Sequence, residues 1–385
     1  MYAITNAKIL TISGSVIENG IVLIKDGKIA FVGKQKECQE PLDSYKVIDG
    51  GGRLVTPGII DAHTHLGIDE EGIGWEGDDY NESSESVTPH MRAIDGINPY
   101  DRGFHDAVQA GITSVQVMPG SANVIGGLMA CIKVKPNRTV EELIIRNPSG
   151  LKIALGENPK KFHGKNGRAP QTRMGVAALL REQFSKARTY IEKRENGKCD
   201  FDLRMEALAL ALKKEIPVRA HAHRADDIMT AVRIAKEFDL NLSIEHATDG
   251  RKVAKYLADA GVLVSVGPTL SSKSKVELKD SSWETYRVMA EEGIDFAMIT
   301  DHPVIPIQDL LTSANKAVKA GLSEEIAWRS LTINPATNLG LQNRIGSIEV
   351  GKDADIVIWD NDPIMKNGQA LVTFVDGEII YQSAK

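Results

Sequence analysis

Hydrophobic positions follow two different patterns along the chain. Near the N-terminus they form short runs separated by Gly, Asn and Asp, and Asp26-Gly27 is a hairpin-type turn pair. Similar runs return near the C-terminus, at 354–359 and 371–375, before a second turn pair at Asp376-Gly377. These two ends predict one small β-sandwich domain built from both termini, over residues 1–56 and 342–385.

The stretch from 57 to 341 alternates strand-length apolar runs with segments of helical periodicity. Helices are predicted over 174–194, 202–214, 225–238, 250–260 and 282–292. Strands are predicted over 58–61, 112–117, 128–132, 151–155, 217–220, 240–244, 262–266 and 296–299. Eight strands in β–α alternation favour an α/β fold, a parallel (β/α)8 TIM barrel, over the alternative of a doubly wound open sheet.

Composition limits the partners and the compartment. With 385 residues and a formal net charge of −6, the chain lacks the basic excess of nucleic-acid-binding proteins. Cys38, Cys131 and Cys199 show neither disulfide nor zinc-knuckle spacing. The sequence has no signal-peptide pattern and no run of about 18 apolar residues, so a cytoplasmic protein without membrane or nucleic-acid partners is expected.

Candidate chemistry lies where the predicted strands end. Six of the nine histidines fall in such motifs. The motifs are Asp61-Ala-His63-Thr-His65, Ala220-His221-Ala-His223, Glu245-His246 and Thr300-Asp301-His302, and Glu157 ends the fourth strand. Reactive groups of barrel enzymes sit at the carboxyl ends of the strands, and residues i and i+2 of a strand share a face. Each motif is weak alone, but together they favour a divalent ion such as Zn²⁺, Mn²⁺ or Fe²⁺.

With these motifs, the chain resembles the amidohydrolase superfamily, in its imidazolonepropionase-related group. The resemblance covers nearly the whole chain and is specific for the superfamily, not for a substrate. It rests on Thr56-Pro-Gly-Ile-Ile-Asp-Ala-His-Thr-His, Gly111-Ile-Thr-Ser-Val, His246, Thr300-Asp301, Thr332-Ile-Asn-Pro-Ala-Thr-Asn-Leu-Gly-Leu and Gly346-Ser-Ile-Glu-Val-Gly-Lys-Asp-Ala-Asp-Ile-Val-Ile.

The resemblance implies a metal site with one or two divalent ions, and zinc is the preferred ion. His63, His65 and Asp301 would bind the more buried ion, and His221 and His246 a second one. A group from the fourth strand would bridge them, a carboxylated lysine in many relatives and a glutamate in others.

Two residues compete for that bridging position. Glu157 sits at the expected strand end, whereas Lys152 lies five residues earlier, so a regular strand points it to the opposite face. This parity argument favours Glu157 and leaves a carboxylated Lys152 as the alternative.

The ligands also suggest a mechanism. A metal-activated hydroxide attacks a carbonyl carbon while Asp301 acts as general base and then acid. His223 is either an oxyanion donor or a support for the ligands. The predicted activity is hydrolysis of a C–N bond in a small amide, lactam or dipeptide-like substrate. Alternatives are a heterocycle deaminase or N-acetyl deacetylase of the superfamily, and a metal-free structural relative.

Loops beyond the strand ends supply candidate substrate contacts. A long acidic loop over 67–99 is expected to cover the barrel mouth or to form a subunit contact. Asn123 lies in a glycine-rich loop, Arg173 directly precedes a helix, and Arg224 follows His223. The two arginines would bind a substrate carboxylate. Because barrels of this group often dimerise, a homodimer is expected.

Overall fold

The structure, a computed structural model, describes residues 1–384. The strands are β1 Tyr2–Ile9, β2 Ile17–Lys25, β3 Lys28–Lys34, β4 Lys46–Asp49, β5 Leu54–Pro57, β6 Ile59–Thr64, β7 Ile112–Val117, β8 Ile125–Lys133, β9 Ile144–Ala154, β10 Val218–Ala222, β11 Leu242–His246, β12 Leu263–Val266, β13 Phe296–Met298, β14 Ile356–Trp359, β15 Ala370–Val375 and β16 Glu378–Gln382.

The helices carry the apolar periodicity seen in the sequence. They are α1 Arg102–Gln109, α2 Val140–Leu143, α3 Glu157–Gly164, α4 Arg173–Glu195, α5 Leu203–Leu212, α6 Ala225–Phe238, α7 Ala254–Ala260, α8 Glu284–Glu291, α9 Leu310–Lys319, α10 Glu324–Leu331 and α11 Ile333–Asn338. The five predicted helices correspond to α4 to α8. Among residues 1–384, none of these helices has the length and apolarity needed to cross a membrane.

Strands β6 to β13 form a nearly closed eight-stranded sheet, a TIM-like barrel. They pair in chain order, from β6 at one end of the sheet to β13 at the other. A bridge between Thr64 and His302 joins these end strands. Asp61 strengthens the join by accepting hydrogen bonds from the backbone N–H and hydroxyl of Thr300, at 3.2 and 2.5 Å. The carboxyl ends of β6 and β13 are thereby held side by side.

The prediction of an all-parallel barrel is wrong at β8, which runs antiparallel to both β7 and β9. Only residues 118–124 connect β7 to β8. A crossover between parallel strands needs about a dozen residues or more, so this short connection can only turn the chain back. As a result, the amino end of β8 lies at the mouth and its carboxyl end at the opposite rim.

Both termini contribute to a second sheet. Strands β1 to β5 and β14 to β16 form one eight-stranded sheet, in which β5 pairs with β14 from the far end of the chain. Its apolar side chains make a separate core that includes Ile4, Val22, Ile356 and Phe374.

A buried ion cluster lies where this sheet meets the barrel. Lys133, the last residue of β8, donates hydrogen bonds to Asp353 and Asp355 at 3.0 and 2.7 Å, and pairs with Asp376 at 2.9 Å. Burial disfavours the charge of Lys133, but the three carboxylates outweigh burial and raise its pKa. The reversed direction of β8 is what brings this lysine to the rim that faces the terminal sheet.

We expect Lys133→Met to lower the free energy of unfolding by about 3–5 kcal/mol, because it leaves the buried carboxylate of Asp355 without its cation. Chemical unfolding followed by circular dichroism measures the change. Lys8→Met is the matched control in the terminal sheet, since Lys8 pairs with Glu18 at the surface, and it should cost less than about 1 kcal/mol. Equal losses in the two variants would contradict this interpretation.

Candidate metal centre and active site

His63 and His65 lie at the carboxyl end of β6, and hydrogen bonds fix the orientation of their rings. His63 Nδ1 lies 2.9 Å from Glu245 Oε2, and His65 Nδ1 lies 2.7 Å from the carbonyl oxygen of Met118. Both partners are acceptors, so each Nδ1 carries the proton and donates it. Burial lowers the pKa of His65 and keeps its ring neutral. The Nε2 atoms of both rings therefore carry lone pairs that point into the barrel mouth.

Three more imidazoles face the same space from β10 and β11. His221, His223 and His246 are buried, and their Nε2 atoms have no hydrogen-bond partner among the described residues. The ring centroids of His221 and His223 lie 4.4 and 4.6 Å from that of His246. The carbonyl of Gly267 accepts from His246 Nδ1 at 2.9 Å. Burial, first among several causes, lowers the pKa of all three, so the rings are neutral.

Asp301 completes the cluster from the end of β13. Its Oδ1 lies 3.1 Å from His63 Nε2 and 3.2 Å from His65 Nε2. Neither nitrogen has a proton to donate in the tautomer that its other nitrogen dictates. Three lone pairs therefore meet in a buried space, an arrangement that repels itself unless a cation sits among them.

The donor set fits a divalent metal ion. His63, His246 and Asp301 present ligand atoms within 4.8 Å of one another, and so do His221, His223 and His246. Neutral imidazoles and one carboxylate suit a borderline cation such as Zn²⁺. The Nδ1 hydrogen bonds to carbonyl and carboxylate oxygens are those that orient histidine ligands in metal sites.

The prediction that Lys152 lies on the opposite face from the site is wrong. Lys152 is buried in β9, with Nζ 3.3 Å from His63 Nε2 and 3.2 Å from Met118 Sδ. Glu157 is half-buried and begins α3 rather than ending the strand, so parity counted from it has no meaning. The backbone N–H of Glu157 donates to Glu277. Burial lowers the pKa of Lys152 to about 8. The structure brings Lys152, and not Glu157, to the histidines.

A buried ion pair lies in the barrel interior, beneath the histidines. Arg219 and Glu245 are fully buried and joined at 3.0 Å, and Arg219 also donates to the carbonyl of Asn338 in α11 at 2.7 Å. Burial works to raise the pKa of Glu245, but hydrogen bonding from His63 and the charge of Arg219 outweigh it and keep the carboxylate ionised. Glu245 is thereby a fixed anion that orients His63.

The predicted substrate contacts are all engaged within the protein. Asn123 donates to the carbonyl of Glu82 and the hydroxyl of Thr88, and its Oδ1 faces His163 Nε2. Arg173 pairs with Asp227 at 2.9 Å and Glu277 at 3.3 Å, and Arg224 forms two hydrogen bonds with Asp226. The structure does not turn these three side chains toward the histidines, and their role in substrate binding stays a prediction.

Three side chains around the site were not predicted from the sequence. Glu245 had a signal, since a charged residue interrupts the apolar strand β11. Tyr80, in the long acidic loop, places its ring 4.8 Å from that of His65. Lys275 follows β12 and hydrogen-bonds to Asn158. Nothing in the sequence distinguishes Tyr80 and Lys275 from surface loop residues, because their position depends on how the loops fold over the mouth.

Comparisons with known proteins agree with this geometry. The sequence profile of the amidohydrolase family matches residues 54–380. A solved amidohydrolase from Thermotoga maritima MSB8 is 42% identical, with a TM-score of 0.96 and full coverage of both chains.

Curated relatives give the same result. An imidazolonepropionase of Sphingopyxis alaskensis is 28% identical over 398 residues, covering 93% of this chain and 92% of that protein. Amidohydrolase tasK of Hapsidospora irregularis is 30% identical over 390 residues, and the chain spans 39% of its length. The chain therefore belongs to the amidohydrolase family, in its imidazolonepropionase-related group, and is a hydrolase acting on carbon–nitrogen bonds.

Proposed function

We propose that the protein hydrolyses an amide, lactam or dipeptide-like C–N bond of a small substrate. It would use one or two bound divalent ions, with zinc as the preferred ion. The observation that carries the proposal is the position of Asp301 Oδ1, 3.1 and 3.2 Å from two imidazole nitrogens that cannot donate to it. A shared cation makes this buried contact favourable.

The proposed ligands divide into two groups. His63, His65 and Asp301 would hold the more buried ion, and His221 and His246 the second. Lys152 replaces Glu157 as the bridging residue, because its Nζ reaches His63. When bound, such ions polarise a carbonyl group and lower the pKa of water toward about 7.

The chain's own residues move the protons. Asp301 accepts a proton as water adds to the carbonyl carbon, and returns it to the nitrogen as the C–N bond breaks, leaving a carboxylic acid and an amine. The Thr248 hydroxyl, 2.8 Å from His223 Nδ1, can donate to that nitrogen and so leave the ring proton on Nε2. His223 then donates to the developing oxyanion.

The division into two domains at residues 56 and 342, the homodimer and the cytoplasmic location stay predictions.

We expect purified protein to contain one or two equivalents of metal and to hydrolyse members of a panel of N-acyl amino acids, dipeptides and lactams. Asp301→Asn should lower kcat by about 10²–10⁴-fold, because it removes the proton carrier. Elemental analysis and steady-state kinetics are the measurements. Asp295→Asn, an exposed change just before the same strand β13, should leave kcat unchanged. Metal-free protein after growth with added zinc, or full activity in Asp301→Asn, would overturn the proposal.

Removing the carboxylate behind His63 should weaken metal binding. We expect Glu245→Gln to lower the affinity for Zn²⁺ by about 10–100-fold, because the anion that fixes the Nδ1–H tautomer is lost. Competition with a chromophoric chelator measures the affinity. Glu237→Gln on the exterior of α6 is the control, since Glu237 pairs only with surface Arg181 among the ion pairs found. An unchanged affinity in Glu245→Gln would show that this carboxylate does not position His63.

Lys152 is expected to act as its carbamate, formed when the neutral amine adds to CO₂ and loses a proton. Its pKa, lowered by burial to about 8, makes the neutral amine accessible near neutral pH. Protein prepared with ¹³C-bicarbonate should show a carbamate carbonyl resonance that is missing in Lys152→Ala. The variant should also lose metal, and short carboxylic acids should restore part of its activity. A spectrum without the resonance in active wild-type protein would refute the carbamate.

A further inference from the structure

Lys275 is a largely buried cation at the barrel mouth with few partners. It lies between β12 and α8, and 18% of its side chain is exposed. Its Nζ donates to Asn158 Oδ1 at 3.2 Å, and Asn158 is itself held by a hydrogen bond to Ser121 at 2.8 Å. An ammonium group has three N–H donors, and among residues 1–384 no second hydrogen bond of this group is found.

The nearest carboxylate does not satisfy this ammonium. Glu277 Oε2 lies 3.9 Å from Nζ, beyond hydrogen-bonding distance. The other oxygen of Glu277 accepts from Arg173 and from the backbone N–H of Glu157. Lys275 therefore keeps two donors free in a position that is mostly removed from water.

The charge of Lys275 acts on the histidine cluster. After burial, it is the next cause that lowers the pKa of His223, and it acts in the same direction on His221. Asp301 in turn supports the charge of Lys275, although burial lowers the pKa of the lysine overall. The ammonium thus lies within electrostatic reach of the groups proposed to hold the metal.

Other charges near the mouth make Lys275 the available anion contact. Arg173 and Arg224 are each paired with carboxylates. On the His65 side, burial and the charge of Asp78 raise the pKa of Asp69, and burial and the charge of Asp79 raise the pKa of Asp78. These neighbouring carboxylates make that side unfavourable for an anion. A substrate anion is therefore drawn to the side of His221 and His223.

We propose that Lys275, with Asn158 beside it, binds a carboxylate of the substrate, so that the preferred substrates are acids such as N-acyl amino acids, C-terminally free dipeptides or lactam carboxylates. This inference rests on the proposed function for the reacting bond. Lys275 takes the role that the sequence suggested for Arg173. It is a specificity-determining residue, and the neutral carboxamide of the same substrate should bind more weakly.

The test compares acids with their carboxamides. Calorimetric titration of metal-loaded protein with N-acetyl derivatives of the twenty amino acids, each as acid and as carboxamide, should reveal acids that bind more tightly. Lys275→Gln should weaken binding of those acids by about 10- to 100-fold and leave the carboxamides unchanged, because one charged hydrogen bond is lost. Lys275→Arg should restore most of the difference. Lys273→Gln is the matched control, since Lys273 is exposed on the same loop and donates to the Lys279 carbonyl.

Each outcome decides the inference. If no acid binds wild-type protein at least threefold more tightly than its carboxamide, or if Lys275→Gln weakens both alike, the inference is overturned. Asn158→Asp keeps the lysine and should also weaken acid binding, which serves as the second variant if Lys275→Gln does not fold. Charge-selective binding without hydrolysis would instead contradict the proposed function and leave the carboxylate site intact.

Discussion

Hydrogen bonds at the Nδ1 atoms of the site histidines fix the orientation of the imidazole rings at the barrel mouth. His63, His65 and His246 each direct Nδ1–H to an acceptor, so their Nε2 lone pairs point into the mouth. Asp301 then adds an anionic oxygen to the same space. Such a convergence costs free energy in the absence of a cation, so metal binding and the stability of the mouth are coupled.

The barrel interior is built to support that arrangement instead of being purely apolar. Arg219 and Glu245 form a buried ion pair below His63, and α11 supplies the carbonyl of Asn338 to the same arginine. A buried pair of this kind adds little stability compared with apolar residues. We attribute its presence to the proposed metal site, because Glu245 fixes the orientation of the His63 ring. The terminal sheet matters in a similar indirect way, because Lys133 anchors it to β8, the strand whose other end borders the mouth.

Much of this could be predicted from the sequence. Periodicity predicted the eight barrel strands and five of the outer helices, and the clustering of histidines at strand ends predicted which side chains meet. The direction of β8 was also readable, because even the predicted connection over 118–127 is too short for a crossover between parallel strands. The face on which Lys152 lies could not be predicted. Gly156 has a φ of +86° and interrupts the alternation of faces between Lys152 and Glu157. The pairing of Arg173 depends on Asp227 and Glu277, which are distant in sequence, so its loss as a free cation became visible only in three dimensions.

In the proposed carboxylate site, Lys275 links metal and substrate through charge alone. Its ammonium disfavours protonation of His221, which keeps the lone pair of this ring free, but it also repels any cation that His221 would bind. A carboxylate bound to Lys275 cancels this repulsion, and a bound cation attracts the carboxylate in turn. By linkage, each must strengthen the binding of the other by the same factor. The mouth therefore favours the state in which metal and anionic substrate are present together, and an uncharged substrate gains nothing from this coupling.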